Sequence, residues 1–165
     1  MMKTYITYGT EFFLKQIVKK HKHRNILTFA GEDNMYLYEE TNDDTLFSAP
    51  QSFEVLMQNN TLLELPTLMI YFVVSESRQD VFDTNVLPLH SLKQYEGYHA
   101  FRLLKPLRGE TYVYTLQFDT KAHLNDFKKS SFYRNYLSEE ALKQYQAQDF
   151  INNIYYTKHL APLEP

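Results

Sequence analysis

The chain has 165 residues with 17 basic and 20 acidic side chains, and its net charge of -3 argues against a dedicated nucleic-acid binder. It contains no cysteine, which excludes disulfides, thiolate catalysis and cysteine-ligated metal. Apolar residues make up 44% of the chain, enough for a real core, and 14 Tyr with 12 Phe place large rings at core edges or around a cavity. No apolar run is long enough to span a bilayer, and Met1-Met2-Lys3-Thr4-Tyr5 leads into a strand pattern instead of a signal core, so a cytoplasmic protein is expected.

In chain order, residues 3–8 read as a strand closed by Gly9, after which Thr10 caps a helix with Phe13, Leu14, Ile17 and Val18 on one face. The basic run from Lys19 to Arg24 complements that helix's C-terminal dipole and is expected to be solvated; contact with an anion or a membrane surface is the alternative. Residues 25–30 and 35–40 form a hairpin around Gly31-Glu32-Asp33-Asn34. Ser48-Ala49-Pro50-Gln51 then carries the signature of a helix start, with Phe53, Leu56 and Met57 on the inner face. The polar Gln58-Asn59-Asn60 patch and Pro66 mark a join.

Beyond the join, residues 67–74 are nearly continuously apolar, as in a strand buried on both faces. A helix from Ser77 is expected to turn Val81, Phe82, Val86 and Leu89 inward, with Pro88 ending its regular part. The alternations in 98–104 and 112–118, with Pro106 and Gly109 between them, predict a second hairpin, followed by a helix capped by Asp119 or Thr120 that carries Leu124 and Phe127. Phe132 and Tyr136 continue an aromatic face, Ser138 caps a turn lined by Ala141, Leu142 and Tyr145, and residues 151–160 close as a strand.

The element order repeats as strand, helix, hairpin, helix. It predicts an α+β fold of tandem ferredoxin-like halves, 1–63 and 64–165, whose antiparallel sheets form a β-barrel of the dimeric α/β-barrel kind. Gly31 and Gly109 fall at matching hairpin turns.

Several stretches, in order and at matching spacing, carry a family resemblance: Tyr5-Ile6-Thr7-Tyr8-Gly9-Thr10 with Phe13-Leu14, Glu39-Glu40-Thr41, Ala49-Pro50, Phe101-Arg102-Leu103-Leu104-Lys105-Pro106, and Asp126-Phe127-Lys128 with Ser138-Glu139-Glu140-Ala141-Leu142. They resemble the signal transduction protein TRAP family (target of RNAIII-activating protein) and the related haem-degrading monooxygenases of the HmoB type. The resemblance implies antibiotic-biosynthesis-monooxygenase-like halves closed into a barrel. In the haem-degrading relatives an Asn, a Trp and a His surround haem; the corresponding positions here hold Tyr71, Phe118 and Leu137.

Haem iron needs a donor that Leu137 lacks, and Tyr133 and Tyr136 are the nearby phenols. The candidate pocket is therefore Tyr71, Phe118, Tyr133, Tyr136 and Leu137, with no catalytic residue, no metal and no cofactor expected, haem being the alternative. Positions that the TRAP resemblance associates with signalling histidines read Pro66, Gln79 and Asn152, and the six histidines present include no i, i+4 pair. The expectation is a TRAP-like, non-catalytic regulatory or stress-associated protein acting on a protein partner or an apolar ligand. Peripheral membrane association and a homodimer stay open, and a haem-binding or haem-degrading monooxygenase with atypical pocket residues is the alternative.

Overall fold

A computed structural model describes residues 1–147 and 154–164. Its strands are β1 (Lys3–Gly9), β2 (Ile26–Ala30), β3 (Met35–Thr41), β4 (Gln51–Asn59), β5 (Thr67–Val73), β6 (Tyr98–Pro106), β7 (Thr111–Phe118) and β8 (Tyr155–Pro162). The α-helices are α1 (Glu11–Lys20), α2 (Gln79–Asp83), α3 (Lys121–Phe127) and α4 (Glu139–Leu142). The strands close into one antiparallel barrel in the order β1-β3-β2-β8-β5-β7-β6-β4. Numbering each half's strands from one to four, β4-β1-β3-β2 and β8-β5-β7-β6 have the same order, 4-1-3-2, so both halves carry ferredoxin-like pairing. Closure leaves no free sheet edge along most of the barrel.

Strand alternation sorts the apolar residues onto two faces. Ile6, Tyr38, Phe53, Met69, Tyr71, Leu104 and Val113 fill the barrel interior. Outside the first half, Tyr5, Met35 and Leu37 pack under Leu14, Ile17 and Val18 of α1. Outside the second, Ile70, Phe72, Leu103, Tyr114 and Phe118 pack under Phe82, Leu124, Phe127, Leu137 and Leu142. β5 is buried along its whole length because it serves the interior and this outer layer at once. Two of the predicted caps form, Thr120 accepting from the His123 amide and Ser138 from the Ala141 amide, whereas Thr10 stands at the N-cap of α1 with extended backbone and no side-chain cap bond.

Four expectations are corrected. Residues 51–59 form β4, not a helix: Ala49 turns with φ 49°, and the chain leaves Pro50 extended to pair with β1 on one side and β6 on the other. A register shift between Val55 and Met57 then lets Leu56 and Met57 both pack against the outer layer. Phe13 lies on the flank of α1 and is 65% exposed, edge-on to Phe12. In place of a helix from Ser77 there is a 3-10 turn (Glu76–Arg78) and the single-turn α2, too short to turn more than Phe82 inward, so Val81 and Val86 are exposed. Arg24 leaves the solvated basic run, its guanidinium held by the buried Glu39 carboxylate at 2.8 and 3.0 Å. The final strand is described from Tyr155; residues 151–153 and Asn152 lie outside the described residues.

Residues 60–66 close one end of the barrel. Asn60 turns with φ 62° and bonds His99 O, Leu62 inserts into the interior, and the Gln117 side chain holds both the amide and the carbonyl of Leu63. Arg102, buried beside them, pairs with Glu40 across the same end.

Candidate functional site

The opposite end of the barrel is ringed by tyrosines. Interior positions of β1, β3, β5 and β8 place Tyr8, Tyr36, Tyr71 and Tyr156 around the Lys158 ammonium, whose Nζ lies 4.8, 5.1, 5.4 and 6.0 Å from the four ring centroids. Tyr71 and Tyr156 stack face to face at 4.7 Å, and Tyr8 stacks on Tyr36 at 5.4 Å. Lys158 also donates to Tyr36 Oη at 2.9 Å, and Tyr71 donates to Gln51 Oε1 at 2.7 Å. Such a cage holds a cation on ring quadrupoles with little loss of its donors. Burial, followed by the neighbouring phenols Tyr156 and Tyr36, pushes the Tyr71 hydroxyl well above the usual phenol range, so it stays a neutral donor.

The five candidate pocket residues separate between the two faces of the sheet. Tyr71 belongs to the barrel interior, whereas Phe118, Tyr133, Tyr136 and Leu137 belong to the layer of helices and turns outside β5–β7. There Phe118 packs on Phe127 at 4.9 Å and Tyr98 at 5.9 Å, and Tyr136 tilts against Phe132 at 5.0 Å. Leu137 is fully buried in a π-helical turn (Tyr133–Leu137). Tyr133 Oη bonds Tyr155 Oη at 3.0 Å, and Tyr155 donates to Leu137 O at 2.7 Å. Burial first, and the bond to Tyr133 second, push the Tyr155 hydroxyl upward. Leu137, fully buried, offers haem iron no donor atom and the Tyr133 hydroxyl is engaged by Tyr155, which leaves Tyr136 as the phenol of this set to test as a ligand.

Two clefts flank the tyrosine ring. One, of about 910 Å³, runs between the β2–β3 turn, β8 and α3, and has Tyr36, Tyr156, Lys121, Lys128, Lys158 and His159 on its wall. The other, of about 670 Å³, is bounded by Gln51, Tyr71, Arg108 and Tyr156. Neither is lined by Phe118, Tyr133, Tyr136 or Leu137. In the first cleft Lys128 Nζ donates to His159 Nε2 at 3.0 Å; burial, with Lys128 and Lys121 nearby, holds the His159 pKa below 6.5. Sequence reasoning missed Tyr8, Tyr36, Tyr156 and Lys158. The available signal was the tyrosine content and their alternate spacing on separate strands, but only the barrel closure brings them together.

Two ferredoxin-like halves closed into a single barrel are the fold also seen in a solved Listeria monocytogenes protein described as a ferredoxin fold protein related to antibiotic biosynthesis monooxygenases, which superposes with a TM-score of 0.78 at 18% identity over 99% of this chain and 96% of that one. The chain is similar over its whole length to the signal transduction proteins TRAP: it is 29% identical over 165 residues to the one from Staphylococcus epidermidis, with 99% of each chain covered. A solved structure described as a major regulator of staphylococcal pathogenesis superposes with a TM-score of 0.88 at 26% identity, covering 98% of this chain and 99% of that one. A heme-degrading enzyme from Listeria monocytogenes shares the fold, with a TM-score of 0.71 at 16% identity over 97% of this chain and 99% of its own. No family model matches the chain.

Proposed function

We propose that the protein is a cytoplasmic, TRAP-like regulator that works by binding a partner and does not degrade haem. The observation that carries this reading is the packed layer at Leu137: a fully buried leucine stands where the haem-degrading resemblance requires an axial ligand, the Tyr133 hydroxyl is bonded to Tyr155, and Tyr155 donates to the Leu137 carbonyl. The whole-length likeness to TRAP proteins supports the regulatory part.

The test is a haemin titration followed through the Soret band, then reductant under air with product analysis. Expected is no saturable one-to-one spectrum and no cleaved tetrapyrrole. A stoichiometric complex whose band is lost on reduction, with a cleavage product, would overturn the reading, and loss of that complex in Tyr136→Phe would assign the ligand.

A specific surface also supports peripheral membrane contact. Phe12 and Phe13 stand 69% and 65% exposed on α1, with Lys19 and Lys20 on the same outward side, where Lys15 is already paired with Glu11 at 2.7 Å. Exposed rings among cations suit an anionic bilayer surface. Co-sedimentation with vesicles containing phosphatidylglycerol should fall on replacing both phenylalanines by alanine, and equal pelleting of the two proteins would remove this contact.

A further inference from the structure

The two seams that join the halves are unequal. β4 pairs with β6 from Phe53 through Asn59, whereas β2 pairs with β8 only at Phe29–Ala30 against Ala161–Pro162. Beyond Ala30 the chain turns away through Gly31–Asn34, and lower on β2 the Thr28 amide and hydroxyl are taken by the Glu64 carboxylate at 2.6 and 2.5 Å. β8 pairs with β5 from Tyr155 through Leu160, but over that length no strand among the described residues covers its other edge. That open edge forms one wall of the 910 Å³ cleft, which is lined by every β8 residue from Tyr156 to Ala161. Among the described residues, Lys121, Lys128 and Lys158 have no carboxylate within ion-pair distance. Glu32 and Asp33 on the far rim pair with none of them.

We propose that this cleft binds an extended acidic peptide segment of a partner protein, which adds as a short strand to the open edge of β8 with its carboxylates turned towards α3. Residues 156–160 offer about 17 Å of strand, at roughly 3.4 Å per residue. Alternate backbone groups on that edge supply the sequence-independent bonds of strand addition. Specificity comes from the two sides of the cleft. One set of alternate peptide side chains meets Lys121, Lys128 and His159; the other meets Tyr36, Tyr156 and Lys158 at the barrel mouth. Glu32 and Asp33 repel carboxylates from the opposite rim and so fix which way the acidic side faces. The inference deepens the regulatory reading by naming the chemistry of its partner, and its test is independent of the haemin measurement.

The probe is the peptide acetyl-Val-Glu-Val-Glu-Val-amide, followed by NMR and amide hydrogen exchange on the full chain. Expected are saturable binding, slowed exchange among the amides of residues 156–159, and an upward movement of the His159 titration midpoint as carboxylates arrive. Because surface ion pairs are individually weak, the double variant Lys121→Glu with Lys128→Glu should lose about tenfold in affinity. Peptides N-methylated at either alternate set of amides should show that one set is indispensable, which separates strand addition from simple charge attraction. No binding at millimolar peptide overturns the proposal. So do equal binding of the Val-Lys-Val-Lys-Val counterpart, indifference to the double variant or to both methylation patterns, and protection confined to other strands. Free glutamate or inorganic phosphate producing the same shifts at the same concentrations would make this a small-anion site and overturn it as well.

Discussion

Lys158 on the last strand donates to the hydroxyl of Tyr36, 122 residues earlier, at 2.9 Å, while its ammonium faces three further tyrosine rings. This contact ties β8 to β1 and β3 beside the seam where β2 and β8 barely pair. Replacing Lys158 by Met removes the cation–π contacts and one hydrogen bond, a loss of about 2 kcal/mol. The urea midpoint should fall accordingly, with Lys158→Arg losing less because it keeps a cation in the cage. Equal midpoints for Met and wild type would show that the cage contributes nothing to closure.

Arg24 and Glu39 make a separable case within one basic run. Glu39 is almost fully buried, so Arg24→Met strands its carboxylate and should destabilise the fold by about 3 kcal/mol. Lys22→Met, two residues away on the exposed turn, should move stability by no more than about 0.5 kcal/mol. Chemical denaturation of the two variants measures the difference directly; similar losses would contradict the ion-pair assignment.

The midpoints of His123 and His159 should be displaced in opposite directions. The hydrogen bond that His123 Nδ1 donates to the Asp119 carboxylate at 2.6 Å raises the His123 pKa above 6.5 and lowers that of Asp119. His123 therefore contributes stability that is complete below its unfolded value of about 6.5 and lost as pH rises through its higher folded value. Asp119 contributes above its unfolded value of about 3.9, and that part is lost as pH falls through its lower folded value. For His159, whose folded pKa lies below 6.5, the contribution is complete above 6.5 and lost on acidification. Imidazole resonances in an NMR titration report both midpoints, and Asp119→Asn should bring His123 down while leaving His159 in place.

Gly97 and Gly109 offer a controlled comparison, since both hold positive φ, 80° and 93°. A Cβ on Gly109 would meet nothing within 4 Å, whereas one on Gly97 would lie 2.2 Å from Asp119 Oδ1 and 2.5 Å from His123 Nδ1. Gly109→Ala should cost about 1 to 2 kcal/mol, the left-handed backbone penalty alone. Gly97→Ala should cost more and also disturb the His123 titration. Equal thermal shifts for the two would mean that the Asp119–His123 pair yields freely.

The architecture was legible because its strongest signals are local. Alternation in 98–104 and 112–118, the continuous apolar run of β5 and the caps at Thr120 and Ser138 all act within a few residues. β4 was misread for the same reason: Ser48-Ala49-Pro50-Gln51 is a good helix opening on local chemistry, but pairing to β1 and β6 outweighs it. The tyrosine ring was illegible because no short window contains it; Tyr8, Tyr36, Tyr71 and Tyr156 share a mouth only through strand order. Matching by family position selected Tyr71 together with Phe118, which lie on opposite faces of one sheet, a separation that requires the registers of β5 and β7.

The unequal seams have an evolutionary reading. A barrel assembled from two identical chains about a twofold axis repeats each joint, so any opening made at one is imposed on the other, and the assembly weakens twice. Carrying both halves on one polypeptide breaks that obligation: β4–β6 can stay fully bonded and hold the barrel shut while β2–β8 drifts apart. Fusion of the halves thus provides, besides a single-chain barrel, the freedom to specialise one joint without cost to the other.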